Sequence, residues 1–75
     1  MSRIEVTSEV TGTVFQIEKA VGDAVEEGDE ILILESMKME IPALAPAAGT
    51  VLELRVAEGE AVEEGDVVAV IEGKG

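Results

Sequence analysis

Cysteine, histidine, tryptophan and tyrosine are all missing from this chain. Without cysteine there is no disulfide and no thiolate metal site. Without histidine the usual general base and the commonest metal ligand are gone. The one aromatic is Phe15, so a core has to be built of Val, Ile, Leu and Ala. Val and Ile are stiff at χ1 and suit a pleated surface, which favours strands. Basic residues are scarce as well, with 5 Lys and Arg against 17 Asp and Glu and a formal net charge of -12. Phosphate binding needs a Lys/Arg face, so no nucleic acid is expected as a partner, and for the same reason no membrane surface. The acidity favours solubility and would steer the chain toward basic partners. No apolar run reaches spanning length and no signal-peptide pattern opens the chain, so the expected compartment is cytoplasmic. The 75 residues make a single domain, 1–75, with a thin stability margin.

What the chain does have is an internal repeat. Gly12-Thr13-Val14 recurs as Gly49-Thr50-Val51, and Gly22-Asp23-Ala24-Val25-Glu26-Glu27-Gly28-Asp29 recurs as Gly59-Glu60-Ala61-Val62-Glu63-Glu64-Gly65-Asp66. Both pairs are 37 residues apart, and no insertion interrupts the offset. Ile4 maps onto Ile41, so each copy starts with a strand before its Gly-Thr-Val.

Each copy reads as β. Thr13 to Glu18 and Thr50 to Arg55 are near-alternating runs. Ala24-Val25 and Ala61-Val62 are short strands, set between turns at Gly22, Gly28, Gly59 and Gly65. Ile31 to Leu34 and Val67 to Ile71 are continuous apolar runs, which predict strands buried on both faces. A helix over Glu26 to Met39 is the rival reading. Gly28, the Ile-Leu-Ile-Leu block and Pro42 weigh against it. A small sheet with one wet apolar face does not stand alone, so the two copies are expected to pack face to face. The predicted architecture is all-β, a flattened eight-stranded barrel or sandwich with a pseudo-twofold axis.

The offset carries Lys38 onto Gly75, the last residue. Where the first copy turns through Met37-Lys38-Met39, the second ends. A twofold relation therefore puts the lysine hairpin at the end of the molecule opposite the chain termini. A tight turn presents its tip residue with little obstruction. Lys38 supplies a long primary amine able to form an amide with an activated carboxyl group. Met37 and Met39 lie two apart, so on strand-like backbone they would point the same way, and methionine is adaptable at recognition surfaces. The bland alternative is a surface lysine whose neighbouring methionines fill the barrel end.

Glu35-Ser36-Met37-Lys38-Met39-Glu40, followed by Pro46-Ala47-Ala48-Gly49-Thr50-Val51, closely resembles the biotinyl domain of biotin carboxyl carrier proteins and biotin-dependent carboxylases. The Gly-Asp-Ala-Val-Glu-Glu-Gly-Asp segments fit the same family, so the resemblance covers nearly the whole chain. It implies the biotinyl/lipoyl barrel-sandwich hybrid fold, with biotin in amide linkage on Lys38 and Met37 and Met39 flanking the target of a biotin protein ligase. It also implies a carrier role between a biotin carboxylase and a carboxyltransferase, most often with an acyl-CoA acceptor, and no catalysis by the carrier itself. The unbroken repeat leaves no room for the protruding thumb of some bacterial carriers. The chain reads as a stand-alone attachment protein or as a domain of a larger one.

A lipoyl carrier shares this fold, but lipoyl domains usually show Asp-Lys-Ala where this chain has Met-Lys-Met. An unmodified lipoyl-like interaction module is the other non-enzymatic alternative. An enzyme is not supported. Glu26-Glu27 and Glu63-Glu64 supply paired carboxylates for acid–base work or Ca²⁺, but they recur at turns, and adjacent side chains on a strand diverge. Ser36 near Lys38 has nothing beside it to orient an oxyanion. No catalytic residue and no metal site is expected. Glu35, Glu40 and Ala45 to Ala47 are expected to lie near the tip as docking candidates.

Overall fold

The computed structural model describes residues 2–73. Among them there are only strands, β1 (Arg3–Thr7), β2 (Gly12–Ile17), β3 (Ala24–Val25), β4 (Glu30–Ser36), β5 (Met39–Leu44), β6 (Gly49–Leu54), β7 (Ala61–Val62) and β8 (Val67–Gly73). No helix among them is long and apolar enough to cross a membrane. The strands form two antiparallel four-stranded sheets, ordered β1-β8-β6-β3 and β5-β4-β2-β7, that stack without closing into a barrel. The all-β expectation and the sandwich arrangement hold.

The pairing corrects one expectation. The two copies do not pack as separate halves. Each sheet takes two strands from the first copy and two from the second. Four glycine turns lock this exchange. Gly22 N donates to Val51 O and Val51 N to Asp23 O; Gly59 and Glu60 clamp Val14 in the same way. Gly28 and Asp29 hold Ala45, and Gly65 and Asp66 hold Ser8. Every clamp joins a turn of one copy to a buried residue of the other. The four glycines have φ between 90 and 96°, the left-handed region a type II turn requires at its third residue.

The core is the aliphatic one the composition demands. Ile31, Leu32, Leu34, Val68, Val70 and Ile71 are at most 1% exposed, so both apolar runs are buried except at Ile33 and Val67, which are half-buried. Each such side chain contributes about 1.5–3 kcal/mol by leaving water. The alternation predicted for the second strand of each copy breaks at a bulge. The register shifts between Val14 and Gln16, and again between Val51 and Glu53. An extra residue in one strand is left out of the pairing, so exposed Phe15 is followed by a second exposed residue, Gln16, and Ile17 turns back toward the core. Ser8 is the one buried polar residue among those described, and its hydroxyl donates to Val10 O at 2.6 Å.

The fold is elongated, 37 × 19 × 18 Å. At one end β1 begins beside the end of β8, with Arg3 opposite Glu72 and Gly73 N donating to Ser2 O. One strand and a turn farther along, Thr11 O accepts from the Ser36 hydroxyl, just below the turn of the β4–β5 hairpin. The hairpin and the two described chain ends therefore lie at opposite ends, as the repeat predicted. Gly75, the repeat partner of Lys38, lies outside the described residues.

Candidate functional site

The β4–β5 hairpin is built from the bottom up by burial. At its base Ile31, Leu32 and Leu34 are anchored in the core, and Leu32 pairs with Ala43. Burial then falls away along the strand until Ser36 pairs with Met39 and two residues close the loop. Pro42 sits on β5, the edge strand of its sheet, where a missing N–H is tolerated.

Two structures hold the hairpin from the side. The Ser36 hydroxyl donates to Thr11 O at 3.0 Å, and the Thr11 hydroxyl in turn accepts from Glu64 N at 3.1 Å. Gly12 lets β2 approach closely, because a Cβ there would collide with the carbonyl oxygen of Glu35. Sequence reading gave Gly12 no role beyond marking the repeat.

The loop residues are Met37 and Lys38, with φ of 52° and 67°. Positive φ at both central residues is the type I′ turn, whose twist matches the flanking strands. Asn and Gly are the usual occupants. A side chain in this region costs about 1–2 kcal/mol, so both loop residues are held in a conformation their side chains disfavour. Lys38 is exposed, and among the described residues it makes no ion pair and no side-chain hydrogen bond.

Two expectations about the neighbourhood change. Met37 lies in the turn and only Met39 starts a strand, so strand alternation does not govern their directions. Neither fills the end of the sandwich: Met37 is 92% exposed and Met39 63%. Ala45 to Ala47 are not at the tip. They follow the far end of β5, where Ala45 is buried and bonded to Asp29 O. Glu35 and Glu40 do sit at the hairpin, directly opposite one another. Glu26-Glu27 and Glu63-Glu64 lie exposed at the turns, and no metal-binding group of acidic residues forms among the described residues.

The family model described as "Biotin-requiring enzyme" matches residues 4–71. The chain belongs to this biotin/lipoyl family. Among curated relatives, the "Biotinylated protein TB7.3" of Mycobacterium tuberculosis is 45% identical over 41 residues, 55% of this chain and 58% of that protein. The "Biotin/lipoyl attachment protein" of Bacillus subtilis is 45% identical over 40 residues, 53% of this chain and 55% of that protein. The chain thus spans a little over half the length of the curated relatives it matches. Among solved structures, the urea carboxylase of Kluyveromyces lactis superposes over 96% of this chain and 6% of its own, with a TM-score of 0.91 and 40% identity. A single-chain, multi-domain long-chain acyl-CoA carboxylase superposes over 96% of this chain and 7% of its own, with a TM-score of 0.89 and 26% identity. The sandwich seen here is therefore the biotin/lipoyl fold, and large carboxylase chains contain a small part built the same way.

Proposed function

We propose that this chain is a biotin carrier, with biotin joined through an amide to Lys38 Nζ, and that it serves a biotin-dependent carboxylase. One observation carries the reading: in a chain of the biotin/lipoyl family, Lys38 stands exposed, with no side-chain partner among the described residues, on a type I′ turn at the end of an elongated sandwich. The residues fit the group. Attachment requires a primary amine that a ligase can surround, and the exposed turn offers one. Once bound, biotin supplies a ring nitrogen able to take a carboxyl group at a biotin carboxylase and give it up at a carboxyltransferase.

The chain's own part is display. The buried strand β4 fixes the base of the hairpin and the Ser36–Thr11 bond holds it just below the turn, so little ordering is left for docking. Tethering makes each encounter with a partner site effectively intramolecular. Met37 and Met39 flank the amine on the surface a biotin protein ligase would cover. No acid, base or nucleophile of this chain is required. A urea carboxylase and an acyl-CoA carboxylase both contain this fold, so the acceptor is a property of the partner carboxyltransferase.

The second reading, lipoylation of the same lysine, is favoured by the name of the Bacillus relative. Co-expression with a biotin protein ligase and biotin, followed by intact mass and peptide mapping, separates the two. One biotinyl addition on Lys38, absent from Lys38→Ala, is expected. A folded chain that takes no biotin overturns the proposal, and a lipoyl-sized addition replaces it with the second reading.

A further inference from the structure

Oxidation chemistry is narrowly confined in this chain. It has no cysteine, tryptophan, tyrosine or histidine, so its three methionines are the side chains most open to oxidation by a peroxide. Met1 lies outside the described residues, and Met37 and Met39 are the immediate neighbours of Lys38. They are also unusual methionines for a domain with an aliphatic core. Met37 is 92% exposed and Met39 63%, while the core is closed with Val, Ile, Leu and Ala alone. Neither thioether is shielded by packing, and the left-handed turn of Met37 and Lys38 that leads into Met39 keeps both at the end of the molecule. The placement has a chemical consequence. A thioether is soft and apolar, whereas its sulfoxide is polar, chiral and a strong hydrogen-bond acceptor. An enzyme that closes over Lys38 must contact both side chains.

We propose that Met37 and Met39 form a reversible oxidation site for hydroperoxides, and that their sulfoxides block modification of Lys38. In the step, each sulfur takes one oxygen atom from the peroxide and becomes the sulfoxide. The O–O bond breaks, and the peroxide leaves as water or an alcohol. The thioether is oxidised by two electrons and the peroxide reduced by two. Reversal belongs to methionine sulfoxide reductases, with one enzyme for each sulfur epimer. The gating half rests on the reading of Lys38 as the attachment site. The oxidation half rests on exposure alone.

The test uses the full unmodified chain. It is treated with hydrogen peroxide, desalted so that the ligase never meets the oxidant, and mapped by peptide mass. Its initial rate of biotinylation by a biotin protein ligase is then measured. Oxidation is expected at Met37 and Met39, with the rate falling roughly fivefold to tenfold, the loss typical of spoiling one central contact. Treatment with both sulfoxide reductases should restore it. The double variant M37L/M39L, compared with its own untreated rate, should lose the peroxide sensitivity. Oxidation that leaves the rate unchanged overturns the gate, as does a rate that falls equally in the double variant. Failure of peroxide to modify Met37 and Met39 overturns the site. An untreated chain that takes no biotin refutes the reading of Lys38 and with it the gate, while the oxidation map still decides the site.

Discussion

Glu35 and Glu40 face each other directly across the β4–β5 hairpin, one step below the pair that closes the turn. The same register position in the second copy pairs Glu72 with Arg3. The repeat thus contains its own control. Where the hairpin carries the displayed lysine, a like-charge pair stands; at the other end of the molecule an opposite-charge pair stands. Like charges directly opposite destabilise a sheet, by up to about 1 kcal/mol. Replacing Glu40 by arginine, which copies the second copy's arrangement, is expected to raise stability by about 0.5 kcal/mol at low salt. The position equivalent to Glu53, which holds Arg3, is Gln16 in the first copy, so the gain stays small. Urea unfolding of E40R at low and high salt measures it, and the gain should shrink as salt screens the pair. A variant less stable than the parent at low salt would refute the account.

Glycine matters here for two separable reasons, and two alanine substitutions tell them apart. At Gly12 the obstacle is space, since a Cβ would overlap the carbonyl oxygen of Glu35 near the tip of the hairpin. At Gly22 an added Cβ would meet nothing within 4 Å, but φ is +96°. Gly22→Ala should cost about 1 kcal/mol through the backbone alone. Gly12→Ala should cost about 1–3 kcal/mol, as overpacking does, and should move hairpin resonances that Gly22→Ala leaves in place. Denaturant midpoints and amide chemical shifts of the two variants check both halves.

How much of this was legible in the sequence depends on the range of the interaction. The repeat, the turns at Gly22, Gly28, Gly59 and Gly65, and the lysine at a hairpin tip follow from local chemistry, and all are present. The interleaving of the copies was not legible, because antiparallel pairing between distant strands leaves no mark in either strand alone. The bulges at Phe15 and Leu52 were missed for a related reason. An alternating run with one extra residue looks like a slightly imperfect strand until its partner is known. The Glu35–Glu40 opposition needed the register as well. Ala45 to Ala47 are close to Lys38 in sequence but not in space, because a strand of six residues carries the chain away from the tip.

Glu53 gives a pH dependence with a definite sign. Hydrogen bonds from Arg3, at 2.9 Å, and from Arg55, at 3.0 Å, hold its carboxyl below its ordinary value. A folded-state pKa that is lowered means stability fully present above the unfolded-state pKa and lost as pH falls through the folded one. The wild-type chain is therefore expected to exceed Glu53→Gln in stability at pH 7, with the difference closing in the acid range below about 4. Comparing the two proteins cancels the titration of the other carboxylates. A difference that persists unchanged at low pH would show that the side chain acts through packing instead of charge. Added salt should narrow the gap at pH 7, because the whole cluster is open to solvent.

The turn residues separate stability from function at a single position. Lys38 has φ of 67°, where a side chain is unfavourable and glycine is at ease. Lys38→Gly should therefore stabilise the fold, by about 1 kcal/mol, by relieving the left-handed strain. It also places glycine at the second loop position, as in the Asn-Gly turns that hairpins prefer. Lys38→Ala keeps the strain and should leave stability near that of the parent. Both variants remove the amine, so neither can take biotin in the proposed function. Thermal or urea unfolding of the three proteins, alongside the ligase assay, decides the matter. If Lys38→Gly is no more stable than Lys38→Ala, the turn is not strained and the choice of lysine carries no conformational cost. If it is more stable, the fold keeps a residue that its own backbone disfavours, and the reason has to lie in what that residue presents.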